Sequence, residues 1–332
     1  MAQPQLSNLV RLAPLQVSDL PSHPGLPSAH GDLATFLVSL LDDGTTFLSP
    51  SHFTQTFKTQ SNKTSAPSAA RVEIHTHSVP ASSLAQVAWS GSNSRVSRST
   101  PANLSAGAEH WFARRSVHKD ISSKDSSSPG HARWSEFVYG LRDEHCEHEA
   151  DFTPTLYDAH CVLDWNSAVQ ELKQRGGVGR YKKCTLGIYE MCHAIPPPLS
   201  PRCFSVLVAT GSVDEDSFVA VTVPVELGQQ GFYSSGKNVK EGKDEQQKKQ
   251  VCMGVYAAVE VVRRDRTKGE VEWVMATASD AKGNLPMWMQ KMSLPGAIAK
   301  DVGLFLKWIK TVDDGQIERV DVPGVEPGRS TN

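Results

Sequence analysis

Tyr256 and Glu260 stand four residues apart in Gly254-Val255-Tyr256-Ala257-Ala258-Val259-Glu260, a segment of strand-forming composition. Successive side chains of a strand point to opposite faces, so positions four apart share one face. A phenol and a carboxylate on one face form a proton donor–acceptor pair, which is what general acid–base catalysis requires. The same alternation along His110–Lys119 groups Trp111, Ala113, Arg115 and Val117 on one face and Phe112, Arg114, Ser116 and His118 on the other. An arginine drawn into an apolar interior needs an anionic partner. Arg115 is assigned here to hold an oxyanion or a ligand head group beside Tyr256 and Glu260, with Glu190, Glu260 and Glu272 as carboxylates able to neutralise it. Tyr189, Glu190 and His193 form a second proton-handling set, because burial raises a carboxyl's pKa and an imidazole titrates near neutrality. Glu190 and His193 are three apart, however, and a regular strand turns them to opposite faces.

Other candidate motifs are weaker. His145 and His148 are three apart near a helix end and can reach one metal ion, with a third ligand undetermined among Cys161, Asp164 and His193. His75 and His77 share a strand face. Gly231-Phe232-Tyr233-Ser234-Ser235-Gly236-Lys237-Asn238 nearly matches a phosphate-binding loop, but Asn238 replaces the hydroxyl residue that holds magnesium. Gly176-Gly177-Val178-Gly179 lacks a strand-to-helix context and reads as a turn. No G-x-S-x-G elbow occurs. No resident metal and no cofactor is expected.

Composition narrows the classes further. The chain has 332 residues, and 34 Lys+Arg against 36 Asp+Glu leave a formal charge of −2. That balance lacks the basic surplus of a nucleic-acid binder. No apolar run approaches the ~18 residues that span a bilayer, so at most a transient membrane contact is expected. The six cysteines contain no C-x-x-C pair; with no secretory leader read at the start, they indicate reduced thiols and a cytoplasmic protein.

The elements that must position these residues follow from periodicity. Residues 1–30, with prolines at 4, 14, 21, 24 and 27, read as an extended arm. Asp32 caps a helix to about Leu41, stopped by Asp42-Asp43-Gly44. Residues 59–105 are polar and read as a loose linker or loop-rich lobe, broken by strand-like pieces near Val72–His77 and Leu84–Trp89. Seven β segments follow: His110–Lys119, Tyr157–Asp164, Lys183–Ala194, Arg202–Gly211, Ser217–Leu227, Val251–Arg263 and Glu270–Ser279. One helix is expected at Trp134–Glu149. A longer one should run from Leu294 or earlier to Val312, with Leu294, Ile298, Val302, Phe305, Trp308 and Ile309 on one face. Seven strands without crossover helices cannot form a doubly wound sheet. The expected class is α+β: a curved antiparallel sheet of about seven strands wrapped on a long C-terminal helix, with a loop-rich N-terminal extension. The expected organisation is an arm and loop region at 1–108, one domain at 109–312 and a disordered tail at 313–332.

Five blocks then stand in order: Trp111-Phe112-Ala113-Arg114-Arg115-Ser116-Val117-His118, Tyr189-Glu190-Met191-Cys192-His193, Gly254 to Glu260, Met275-Ala276-Thr277-Ala278-Ser279-Asp280-Ala281-Lys282-Gly283-Asn284-Leu285-Pro286, and Pro295-Gly296-Ala297-Ile298-Ala299-Lys300-Asp301-Val302. Together they resemble a mostly fungal family of START-like proteins of the birch-pollen-allergen-like superfamily, labelled a domain of unknown function. The resemblance implies the helix-grip fold and a cavity for a lipid, sterol or other hydrophobic molecule; it carries no catalytic residues to transfer. The ligand-binding residues expected are Trp111, Arg115, Glu190, His193, Tyr256, Glu260, Met275, Trp288, Met292 and Phe305, since aromatic and thioether side chains suit a deformable apolar pocket. The expected function is binding or transfer of a hydrophobic small molecule. The alternative is a cofactor-independent cyclase, dehydratase or isomerase using Tyr256, Glu260 and Arg115 on a hydrophobic secondary metabolite.

Overall fold

A computed structural model describes residues 8–85, 108–196, 199–228, 231–233, 250–282 and 287–319, with side chains from Met292 onward in the last stretch. In chain order the elements are β1 (Leu15–Gln16), α1 (Leu33–Phe47), α2 (Pro50–Thr56), β2 (Lys58–Lys63), β3 (Val72–Val79), α3 (Ala81–Leu84) and β4 (Glu109–Lys119). They continue with α4 (Trp134–Leu141), α5 (His145–Phe152), β5 (Leu156–Asp164), α6 (Asn166–Gln174), β6 (Lys182–His193), β7 (Arg202–Ser212) and β8 (Ser217–Glu226). β9 (Cys252–Asp265), β10 (Glu270–Asp280), α7 (Met287–Ile309) and α8 (Asp314–Arg319) complete them.

The sheet runs β2-β3-β4-β10-β9-β8-β7-β6-β5, and successive neighbours are antiparallel. The seven expected strands are β4 to β10; β2 and β3 lengthen one edge, and β1 pairs parallel with β8. Near one end β8 leaves the ladder and Arg202–Phe204 of β7 runs parallel with Cys252–Gly254 of β9. This is the α+β class, a large curved sheet gripping a C-terminal helix.

Both faces of the sheet are covered. On the inner face, Ile74, Phe112, Phe218, Val262, Trp273 and Met275 pack with Phe137 of α4, Phe152 of α5, and Ile298, Val302, Phe305 and Ile309 of α7. On the outer face, Trp111, Ala113, Ile188, Leu207, Val221, Val259 and Val274 pack with Phe36, Leu37, Leu40 and Leu41 of α1 and Val169 of α6.

Local departures from the sequence reading have physical causes. The Asp42-Asp43-Gly44 stop is overridden, and α1 runs on to Phe47. Asp43 Oδ2 accepts from Leu9 N at 3.0 Å, and Gly44 lies so close to β8 that a Cβ there would come within 2.3 Å of Val221 Cγ2. The helix expected at Trp134–Glu149 is two helices, α4 and α5, because Glu144 takes a left-handed φ of 45° between them. The arm is packed rather than loose: Leu9, Val10, Leu15, Leu20 and Leu26 are buried in the outer-face core, and Arg11 Nε pairs with Glu109 Oε1 at 3.1 Å. Within the polar stretch, 58–63 and 72–79 are sheet strands and Leu84 ends a helix, while 86–107 lie outside the described residues. Ile317 of α8 is buried in the inner-face core, and 320–332 lie outside the described residues. Of the near phosphate-binding loop, only Gly231–Tyr233 are described. Among the described residues no helix is long and apolar enough to cross a membrane.

Candidate functional site

The register across five strands builds the site. Ile74, Arg114, Met275, Glu260 and Ala220 form one row over β3, β4, β10, β9 and β8. Residues directly opposite one another share a face, and the company of Ile74 and Met275 places this row on the inner face under α7. Arg115, one residue on, falls in the row of Glu73, Val274 and Val261 on the outer face. Arg114, rather than Arg115, is therefore the arginine on the face of Glu260. Alternation establishes which residues share a face but not which face is inner, and here both faces are covered.

Arg114 is 1% exposed along its side chain, and its Nη2 donates to Glu260 Oε1 at 3.0 Å. Its guanidinium lies 3.7 Å from the centroid of the Trp273 ring, a cation–π stack that desolvation strengthens. Trp273 Nε1 donates to the same Glu260 oxygen at 3.3 Å. Arg114 Nε and Nη1 are buried with no hydrogen-bond partner among the described residues. A buried donor left unpaired is expensive, so this guanidinium has capacity for a further acceptor oxygen.

Two acids from the helical side face the same arginine. Glu149 of α5 is pushed up to about 7 by burial and by the Glu260 and Asp301 charges, against relief from His145 and Arg114. Asp301 of α7 is pushed up to about 6 by burial, which the pull of Arg114 only partly offsets. Burial, with the Glu149, Cys146 and Glu260 charges behind it, drives the Tyr256 phenol well above its ordinary value. Glu260, Glu149, Asp301 and Arg114 thus sit within electrostatic reach of one another, three carboxyls to one guanidinium, with Tyr256 in reach of Glu149 and Glu260. Near neutrality Glu149 can give or take a proton. Although they lie between sheet and helices, Glu149, Ala150, Tyr189, Phe204, Tyr256, Ala258, Glu260 and Asp301 all keep accessible surface.

His193 shares the inner face through its neighbours. Its ring meets the Phe204 ring edge-on at 5.8 Å, and Phe204 meets Tyr256 at 5.2 Å. Burial alone pushes the imidazole down to about 4, so it is neutral.

The remaining expected residues lie elsewhere. Arg115 pairs on the outer face with Glu272 at 2.7 Å and Glu73 at 3.1 Å, and the Trp111 ring packs at a tilt against Phe47 of α1 with centroids 4.7 Å apart. Phe305 is wholly buried among Phe137, Phe152 and Trp273. Met275 is nearly buried beside Arg114, whereas Met292 is 74% exposed. Met292 borders a recess with Gln60, Thr76, His77, Ser78, His110, Trp111 and Phe112. Trp288 falls in the first turn of α7, and its side chain is outside the described residues.

Glu190 belongs to a different assembly on the outer face. It accepts from Phe232 N at 2.9 Å, Tyr233 N at 3.2 Å and His160 Nε2 at 3.0 Å. His160 Nδ1 faces Asp158 Oδ1 at 3.3 Å, and the Tyr233 hydroxyl donates to Asp158 Oδ2 at 2.7 Å. The alternation that separates Glu190 from His193 holds. His148 stacks against Tyr139 and Trp308, and His145 Nδ1 lies 2.7 Å from Leu141 O. The His75 ring packs on Phe53 and His77 on Phe57. Among the described residues no three His, Cys, Asp or Glu side chains converge as metal ligands.

No motif or spacing marks Glu149, Asp301, Asp158 or His160 in the sequence; tertiary packing alone brings them to these clusters.

The model of a family described as a protein of unknown function (DUF3074) matches residues 111–309. No curated protein matches the chain. Similar solved structures include human StAR-related lipid transfer protein 5, 10% identical, covering 84% of this chain and 97% of that one with a TM-score of 0.47. Human STARD10 is 12% identical over 78% of this chain and 80% of that one, with a TM-score of 0.42. A STAR-related lipid transfer protein from Xanthomonas axonopodis is 10% identical over 77% of this chain and 97% of that one, with a TM-score of 0.40.

Proposed function

The chain belongs to the DUF3074 family, whose function is unknown, and on that premise we propose that it binds a hydrophobic small molecule between the sheet and α7, carrying or sequestering it in the cytoplasm. The observation behind this reading is Arg114. A fully buried guanidinium with two nitrogens unpaired among the described residues, beside neighbours that keep accessible surface, fits a ligand that supplies the missing acceptor oxygen. The surrounding acids argue for a neutral oxygen function: three carboxyls against one arginine repel a carboxylate or phosphate head group.

The test is a binding titration followed by intrinsic tryptophan fluorescence against a sterol, a long-chain alcohol, a fatty acid and a phospholipid. The proposal expects saturable one-to-one binding of a neutral, oxygen-bearing hydrophobe, weakened at least tenfold in Arg114→Met. Absence of binding across the panel contradicts it.

A second reading has one observation in its favour. Glu149, near neutrality, faces Glu260 and Tyr256 on the same wall, which also suits a cyclase, dehydratase or isomerase. With an identified substrate, Glu149→Gln and Glu260→Gln should each lower turnover by ~10²–10⁴ if these groups move protons. A carrier keeps its ligand affinity within a few-fold in Glu149→Gln and shows no turnover.

A further inference from the structure

The inner wall is polar at two places and small between them. At one end stand Arg114, Glu260, Glu149 and Asp301, at the other the His193 imidazole, reached through Phe204 and Tyr256. Between Tyr256 and Glu260 the row across the sheet is Thr222, Ala258 and Thr277. These side chains are short, and the Thr277 hydroxyl is turned back onto Ala257 O at 3.0 Å. The rows on either side carry the larger Tyr256, Met275 and Arg114. Tyr256 and Glu260, four residues apart on one strand, are separated by ~13 Å, and His193 lies beyond Tyr256.

His193 is an uncommitted group in this setting. It makes no hydrogen bond among the described residues, keeps accessible surface, and its ring lies T-shaped to that of Phe204. A neutral imidazole presents one donor and one acceptor, and the interior leaves them for a ligand.

We infer that the ligand is an elongated hydrophobe with a neutral oxygen function at each end, one met by Arg114 and its acids, the other by the His193 imidazole, at least ~13 Å apart. This rests on the binding function proposed above and narrows its ligand class. A sterol-like or polyketide-like skeleton oxygenated at both ends fits; a lipid with a single head group leaves His193 without its partner.

The test compares dodecanol with dodecanediol bearing hydroxyls at its two termini, titrated into the full-length protein by calorimetry. The diol should bind about fivefold more tightly or better, the worth of one neutral hydrogen bond. His193→Phe should abolish that preference, while His193→Gln, which keeps a donor and an acceptor, should retain part of it. Arg114→Met should weaken both alcohols alike. Equal binding of diol and mono-alcohol to the native protein overturns the two-ended ligand while leaving the binding function standing. An equal loss for both alcohols in His193→Phe also overturns it, since the ring would then only pack. Failure of both alcohols to bind the native protein contradicts the binding function, and this inference with it.

Discussion

Arg114 on β4 reaches across the intervening strand β10 to Glu260 on β9, Nη2 to Oε1 at 3.0 Å, directly over Met275. The pair is nearly sealed from water, so each charge is tolerable mainly because of the other. Glu260→Gln strands a buried guanidinium and should destabilise the protein by about 3–5 kcal/mol. The double replacement Arg114→Met with Glu260→Leu removes both charges and should recover most of that loss. Denaturant unfolding of Arg114→Met, Glu260→Leu and the double checks this; a double variant as unstable as the sum of its parents refutes mutual neutralisation. The recovered double should still fail to bind ligand, which separates folding from function.

The acid cluster makes stability depend on pH. The Glu149 carboxyl sits at about 7 against an ordinary 4.5, so the folded state holds its proton more tightly than the unfolded chain. Stability from this group is full below about 4.5, declines as pH rises, and is lost above about 7, with an upper bound of about 3 kcal/mol. Asp301, at about 6, adds a decline in the same direction, and the two titrate as a coupled set. Glu149→Gln should therefore gain stability relative to the native protein between about pH 5 and pH 8. Parallel stability curves for the two proteins over that range refute it.

His160 imposes a dependence at the outer face. Burial opposes its charge, but hydrogen bonds to Asp158 and Glu190 outweigh burial and hold its pKa above the ordinary 6.5. Its stabilising contribution is complete below 6.5 and is lost as pH rises through the folded value. Because Glu190 also holds Phe232 N and Tyr233 N, hydrogen exchange at those two amides should quicken beyond its intrinsic pH dependence over that range. His160→Gln should remove the excess. An excess that persists in His160→Gln removes His160 as its source.

The arm and α1 bury the outer face, so that face is a core rather than a surface. Leu40→Ala should cost about 2–5 kcal/mol, the range for a fully buried leucine. A fragment of 109–312 alone exposes Trp111, Val221, Val259 and Val274 and should be insoluble or lack fixed tertiary structure. A well-dispersed NMR spectrum from that fragment contradicts this.

Much of the architecture was legible because strand alternation and the α7 stripe are local signals. Each of the seven strands expected from residues 109–312 is present, and Tyr256 and Glu260 share the inner face as their spacing requires. What escaped was set by tertiary packing. Trp111-Phe112-Ala113-Arg114-Arg115 reads apolar on both faces, because α1 and the arm cover one and α7 the other, so nothing local distinguishes Arg114 from Arg115. Asp42-Asp43-Gly44 looks like a helix end until Val221 presses on Gly44. Glu149 and Asp301 lie far apart in sequence, and only the packing of α5 and α7 over Arg114 gives them a shared chemistry.

The binding function is tested most directly by native mass spectrometry of the full-length protein purified from cells without detergent. The account predicts a one-to-one adduct that organic extraction identifies as a neutral, oxygenated hydrophobic molecule, and that is missing from Arg114→Met with Glu260→Leu. A ligand-free mass in every preparation, with no change in melting temperature across sterols, alcohols, fatty acids and phospholipids, would contradict it.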